Sequence, residues 1–124
     1  LGYVSDVDRD DLLRGAAAYC FPSVYEGFGL PPLEAMSVGT PVVATRAGSI
    51  PEVCGDGADL VDVGDADALA AALARVLTDD AHRTALVARG HATVARYRWD
   101  DAGDAFAALL HRVAATSERT SPPA

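Results

Sequence analysis

Lysine is missing from this sequence: all ten basic residues are arginines, scattered singly. A phosphate-backbone partner is usually met by a clustered basic face. With 18 acidic residues and a net charge of −8, the chain offers no such face, so nucleic acid is not an expected partner. A local positive site is still compatible with that balance. Cysteine is nearly absent as well. Cys20 and Cys54 stand apart with no CxxC pair, which argues for a reduced, cytoplasmic chain rather than a disulfide scaffold or a zinc site. Cys20 lies in the apolar run AYCFP and reads as a small core residue. No apolar run approaches the ~20 residues that span a bilayer, so no transmembrane segment is expected. His82, His91 and His111 share no converging carboxylate pattern, and neither a metal site nor a histidine base is expected. GxGxxG and a Walker lysine are also missing.

Half of the 124 residues are apolar, which suits one folded domain with a single core. The chain opens at Leu1 within what reads as a strand, LGYV, so a piece of a longer protein is expected. SDVDRDDLLRGA reads as a helix capped by Ser5 or Asp8, with an acidic first turn. Asp6, Asp8, Asp10 and Asp11 fit that exposed helix start better than a metal site. AYCFPS is a second apolar run, and PPLEAMSVG a helix with proline at its start and Gly39 at its end. TPVVAT reads as a short buried strand, GSIPEVCGDG as a turn with one helical turn from Pro51, and ADLVDV as another strand.

Beyond Asp65 the spacing becomes helical, with Leu69, Leu73, Val76 and Leu77 on one stripe. A second helix allows a bend at Gly90. A third has Phe106, Leu109, Leu110 and Val113 as its apolar face, and Trp99 reads as packing for it rather than as a sugar-stacking platform. Residues 116–124 read as a flexible tail, leaving 1–115 as the folded unit. Strand–helix alternation over the first 62 residues predicts an α/β fold: a Rossmann-like parallel sheet with flanking helices, ending in helices. Such sheets bind ligands beyond the carboxyl ends of their strands.

The stretch YEGFGLPPLEA, residues 25–35, lies at one of those ends. Gly27 and Gly29 let a ligand approach the main chain closely. The helix expected from Pro31 turns its first N–H groups and the positive end of its dipole toward the turn. That suits a phosphate or a hydroxyl-rich group. Glu34, read as first-turn, is acceptor-only, and its two oxygens can hold vicinal hydroxyls such as those of a ribose. Glu26, on the turn, can hold hydroxyls of a second ring. A phosphate flanked by two sugars describes a nucleotide-sugar. The plain alternative has Glu34 complementing the helix dipole and Glu26 solvated. Arg46, just past TPVVAT, either faces the same cleft or ends a solvated loop.

FPSVYEGFGLPPLEAMSVGTPVVAT followed by GSIPEV resembles the C-terminal lobe of the retaining GT-B glycosyltransferases of family 4, the glycosyl transferases group 1. Their E-x7-E signature is carried by Glu26 and Glu34, and LGYVSD and RYRWDDAGDAFAALL are similar to further segments of that lobe. The resemblance implies a donor-binding lobe for a GDP- or UDP-linked nucleotide-sugar. Glu34 would bind the donor ribose, and Glu26, the implied catalytic residue, the transferred sugar. Gly27 and the main-chain N–H groups of Phe28, Gly29 and Leu30 would meet the sugar and diphosphate. Val4 and Tyr3 would lie near the base, with Gly48 and Ser49 by the same cleft.

It further implies retaining, metal-independent hexosyl transfer, with mannosyl and rhamnosyl transferases as the nearest likeness, and no cofactor. The acceptor is unknown, with glycans and lipid-linked molecules as the implied classes. The family's diphosphate-clamping Arg/Lys pair and its acceptor-binding N-terminal lobe would precede Leu1, so the chain is expected to be inactive alone. In the full-length protein a cytoplasmic location, with contact to the inner membrane face, is implied. The competing readings are a nucleotide-sugar 2-epimerase or phosphorylase lobe, and a non-enzymatic folded fragment.

Overall fold

The computed structural model describes residues 2–118. Three short apolar runs form β1 (Tyr19–Phe21), β2 (Val42–Thr45) and β3 (Ala58–Val61), a parallel sheet in the order β1-β2-β3. Tyr19 pairs with Val42 and Phe21 with Ala44; on the other side Val42 pairs with Ala58 and Ala44 with Leu60. Parallel strands need crossovers, usually helical. Here α2 (Leu30–Ser37) joins β1 to β2 and α3 (Ile50–Cys54) joins β2 to β3. Helix α1 (Asp6–Gly15) precedes the sheet; α4 (Ala66–Thr78), α5 (Asp80–Val94) and α6 (Trp99–Glu118) follow it.

Strand β2 is buried along its whole length, which is why VVAT is continuous rather than alternating. Its successive side chains still divide between two layers. Val42 and Ala44 pack with Leu33, Met36, Ile50 and Val53 from α2 and α3. Val43 points the opposite way and packs with Ala72 and Val76 of α4 and Leu86 of α5. Helices α1, α4 and α5 start on side-chain caps. Ser5 Oγ accepts from the Asp8 N–H at 3.2 Å, Asp65 from Ala68 at 2.8 Å and Asp79 from His82 at 2.9 Å. Caps of this kind contribute ~1 kcal/mol each.

The structure departs from the sequence reading in five places. Residues 2–4 are not a strand, because among the described residues β1 pairs only with β2 and the sheet holds no further strand for them to join; Leu1 lies outside the described residues. Helix α5 runs unbroken through Gly90. That glycine serves packing, since a Cβ there would come within 3.1 Å of Met36 Cγ. Cys20 is exposed, not core. It shares the face of Val43, but the cluster around Val43 does not reach out to the edge strand. Trp99 is 87% exposed, and Phe106, Leu109, Leu110 and Val113 on α6 are exposed as well. Periodicity marks a face as apolar but does not say what covers it, and among the described residues nothing does. Of the expected tail, residues 116–118 continue α6, and 119–124 lie outside the described residues.

Cys54 is fully buried, and burial pushes its thiol up to about 11. At pH 8 we expect a thiol reagent to label Cys20 rapidly and Cys54 only after unfolding, read by mass spectrometry. Between about pH 8.5, the ordinary thiol value, and about 11, the unfolded chain loses this proton while the folded one keeps it. Stability from Cys54 is therefore complete below about pH 8.5 and falls as pH rises through that window. A urea midpoint that rises with pH there, relative to Cys54→Ala, would contradict the assignment.

Candidate functional site

The glycine turn leaves the carboxyl end of β1 and enters α2. Its start is tied to the sheet by the buried Thr45, whose hydroxyl at the end of β2 donates to the Ser23 carbonyl. Its middle is held by residues 48–49. The Ser49 N–H donates to the Glu26 carbonyl at 3.2 Å, and the Ser49 hydroxyl gives its proton to the Phe28 carbonyl at 2.7 Å. Gly48 (φ +53°) lies so close that a Cβ would overlap the Glu26 carbonyl oxygen. Gly29 caps α2 in the left-handed region (φ +99°), and a Cβ there would overlap Ile50. Both positions require glycine.

The turn's donors remain free. Among the described residues no protein acceptor takes the N–H of Phe28, Gly29 or Leu30. Pro31 and Pro32 follow as the second and third helical residues and have no N–H to offer. Of the amides that normally fan out from a helix start, those of Gly29 and Leu30 therefore remain, and the dipole adds to them.

Glu26 is half-buried, and the Ser23 hydroxyl donates to its Oε1 at 2.8 Å. Among the described residues Oε2 has no hydrogen-bond donor. Glu34 is the fifth residue of α2, not a first-turn residue, because the helix begins at Leu30. Its side chain is 39% exposed. Burial, followed by the charges of Glu34 and then Glu26, raises the pKa of the Tyr19 phenol above its ordinary value. The Tyr19 phenol therefore lies within electrostatic range of both carboxylates.

Several residues at the site were not singled out from the sequence. Ser23 was signalled only by its three-residue spacing before Glu26. Tyr19 carried no signal beyond its place in an apolar run. Tyr97 packs edge-on to Phe28 with ring centres 5.9 Å apart, and its hydroxyl donates to the Val53 carbonyl at 3.1 Å. It thereby braces the outer wall of the turn, where a groove of about 280 Å³ runs past Leu30, Leu33 and Glu34.

The arginine brought to the acids is Arg9 of α1, with Nε 3.9 Å from Glu34 Oε2. A hydrogen bond to Asp10, then the charge of Glu34, holds it still more firmly protonated. Arg46 instead pairs with Asp62 at 3.6 Å on the far loop. Phe28, Leu30 and Glu34 share one wall of the groove, whereas Glu26, Gly27 and Gly29 lie on the turn outside its lining. Val4, just before α1, lines a separate shallow depression with Asp8, Asp11 and Leu12.

Comparison with known proteins follows this geometry. Residues 1–93 match the family model described as glycosyl transferases group 1. The chain belongs to that family. It is 46% identical over 101 residues to the O-antigen chain mannosyltransferase B of Escherichia coli, covering 82% of this chain and 26% of that protein. It is 43% identical over 102 residues to the phosphatidyl-myo-inositol mannosyltransferase of Mycolicibacterium smegmatis, covering 80% of this chain and 26% of the relative. The chain thus spans about a quarter of the length of these relatives. Among solved structures, the sucrose-phosphate synthase of Thermosynechococcus elongatus superposes with a TM-score of 0.82 at 30% identity, over 94% of this chain and 30% of that one. The GT-B-type parallel sheet with flanking helices is thereby shared. No helix among the described residues is long and apolar enough to cross a membrane.

The turn's geometry is open to a direct check. Gly48→Ala places a methyl against the Glu26 carbonyl at positive φ and should cost ~2–3 kcal/mol in urea unfolding. Gly27→Ala has open space around it and should stay within ~0.5–1 kcal/mol of wild type. Equal losses in the two variants would show that the contact between Gly48 and Glu26 does not hold the turn.

Proposed function

We propose that this chain is the donor-binding part of a hexosyltransferase that uses a nucleotide-sugar. The observation that carries the reading is the pair Glu26 and Glu34 on either side of the unpaired Gly29 and Leu30 amides. A carboxylate only accepts hydrogen bonds and an amide N–H only donates. A donor molecule offers the complement in the same order: sugar hydroxyls, an anionic diphosphate, then ribose hydroxyls. Glu26 holds the transferred sugar, the turn's amides and the α2 dipole take the diphosphate, and Glu34 takes the ribose diol. The names of the E. coli and M. smegmatis relatives support mannosyl as the transferred group. GDP and UDP are the candidate carriers.

Transfer with retention fits this wall. The backbone amides steady the charge that develops on the departing diphosphate. A diphosphate oxygen on the same face accepts the proton of the incoming acceptor hydroxyl. The acceptor's oxygen then forms the new bond to the anomeric carbon as the diphosphate leaves. No metal is needed in this scheme, because fixed dipoles carry the charge. In this scheme acceptor binding falls to the N-terminal lobe and the remaining diphosphate contacts to an Arg/Lys pair upstream of this segment, so the segment by itself would not catalyse transfer. The words O-antigen and phosphatidyl-myo-inositol in the relatives' names support a glycan or lipid-linked acceptor, reached from the cytoplasmic face of the membrane.

In the full-length enzyme, Glu34→Gln replaces one acceptor oxygen by an NH₂ group. We expect donor nucleotide binding, titrated calorimetrically with GDP and UDP, to weaken by ~1–3 kcal/mol. Unchanged affinity for both nucleotides would refute the assignment of Glu34 to the ribose.

A further inference from the structure

Arg9 is held in an unusual way for a surface arginine. Its two terminal nitrogens are each 3.3 Å from a carboxylate on its own helix, Asp6 for Nη1 and Asp10 for Nη2. Its Nε is shielded from solvent and has no hydrogen-bond acceptor. An unpaired shielded donor is costly, and this one faces the carboxylate of Glu34 across 3.9 Å. That gap is too wide for a hydrogen bond, so Arg9 attracts Glu34 without occupying its lone pairs. Both Glu34 oxygens stay open to hydroxyls of a ligand.

The electrostatics of the site need such a group. The chain carries a net charge of −8 and the turn presents two carboxylates. An anionic diphosphate approaching them meets repulsion that two backbone amides must overcome. A long, partly exposed glutamate also loses rotamer freedom when it orders on a ligand. A cation fixed behind the carboxylate relieves both costs. It offsets the charge and narrows the side chain's range before the ligand arrives.

We propose that Arg9 is a positioning residue for Glu34, holding its carboxylate toward the donor and offsetting its charge there. The proposal rests on the donor-binding reading above. Its test is a mutant cycle in the full-length protein, with GDP and UDP affinities measured by calorimetry for wild type, Arg9→Gln, Glu34→Gln and the double variant. Arg9→Gln should weaken binding about two- to fivefold. Arg9→Lys, which keeps the charge, should recover most of that loss. In the Glu34→Gln background, Arg9→Gln should have almost no further effect, since the residue acts through Glu34.

Losses that simply add across the cycle would overturn the proposal, as would a normal Arg9→Gln affinity beside a weakened Glu34→Gln. A merely structural role would lower the melting temperature and weaken binding equally in both backgrounds. If Glu34→Gln itself binds normally, the donor-binding reading fails, and this inference fails with it.

Discussion

The grip of Ser49 and Gly48 on the carbonyls of Glu26 and Phe28 is the contact on which the rest of the site depends. A turn with two glycines between an aromatic and a Pro-Pro pair has few conformational restraints of its own. Left alone, it would sample many shapes, and its amides would turn to water. The loop after β2 removes that freedom by consuming the turn's acceptors. With the Glu26 and Phe28 carbonyls occupied by Ser49, the N–H groups of Phe28, Gly29 and Leu30 keep no acceptor among the described residues. Acceptors are satisfied on the protein side and donors are presented on the ligand side.

The same arrangement suggests how so acidic a chain would hold the anion of the proposed donor. Without lysine, and with at least five of its ten arginines paired with aspartates, the chain would rely on fixed dipoles. Fixed dipoles do not need to reorganise when charge develops, so they suit a leaving diphosphate better than mobile side chains would. In the proposed donor complex the carboxylates would serve a different part of the ligand, its hydroxyls, where an acceptor is required and a cation would be useless. Site chemistry is thus divided by position: donors at the turn, acceptors at its two ends.

Much of this was legible in the sequence, for identifiable reasons. The β2 run VVAT could be read because a strand buried on both faces must be apolar throughout. Helix α2 could be read from proline at its start and Gly39 just past its end. Glu26 and Glu34 stood out because acids flank a glycine turn at a strand end, where parallel sheets bind ligands. What escaped was whatever depends on distant segments meeting. Cys20 looked buried because its neighbours in sequence are apolar, yet the edge of the sheet leaves it uncovered. Trp99 and the α6 face looked like packing, but amphipathic spacing carries no information about a covering partner. Arg9 lies far from Glu34 in sequence, and only the placement of α1 beside α2 joins them. Arg46, nearer along the chain, was drawn off by Asp62.

The two prolines carry this reasoning one step further. At most helix starts several amides fan out, and an anion can settle among them in more than one pose. Pro31 and Pro32 delete two of those donors while supplying the backbone angle the helix needs. The remaining donors sit together at Gly29 and Leu30, at the end nearest Glu26. An anionic group of the proposed donor would thereby be confined to one edge of the helix start, with the stretch toward Glu34 left for uncharged hydroxyls. Without the prolines, a phosphate could slide along the first turn toward Glu34 and lose its alignment with the group held by Glu26. In the proposed donor complex Pro-Pro at this junction would set the register of the ligand, deciding which part of an extended, multi-ring molecule meets which carboxylate.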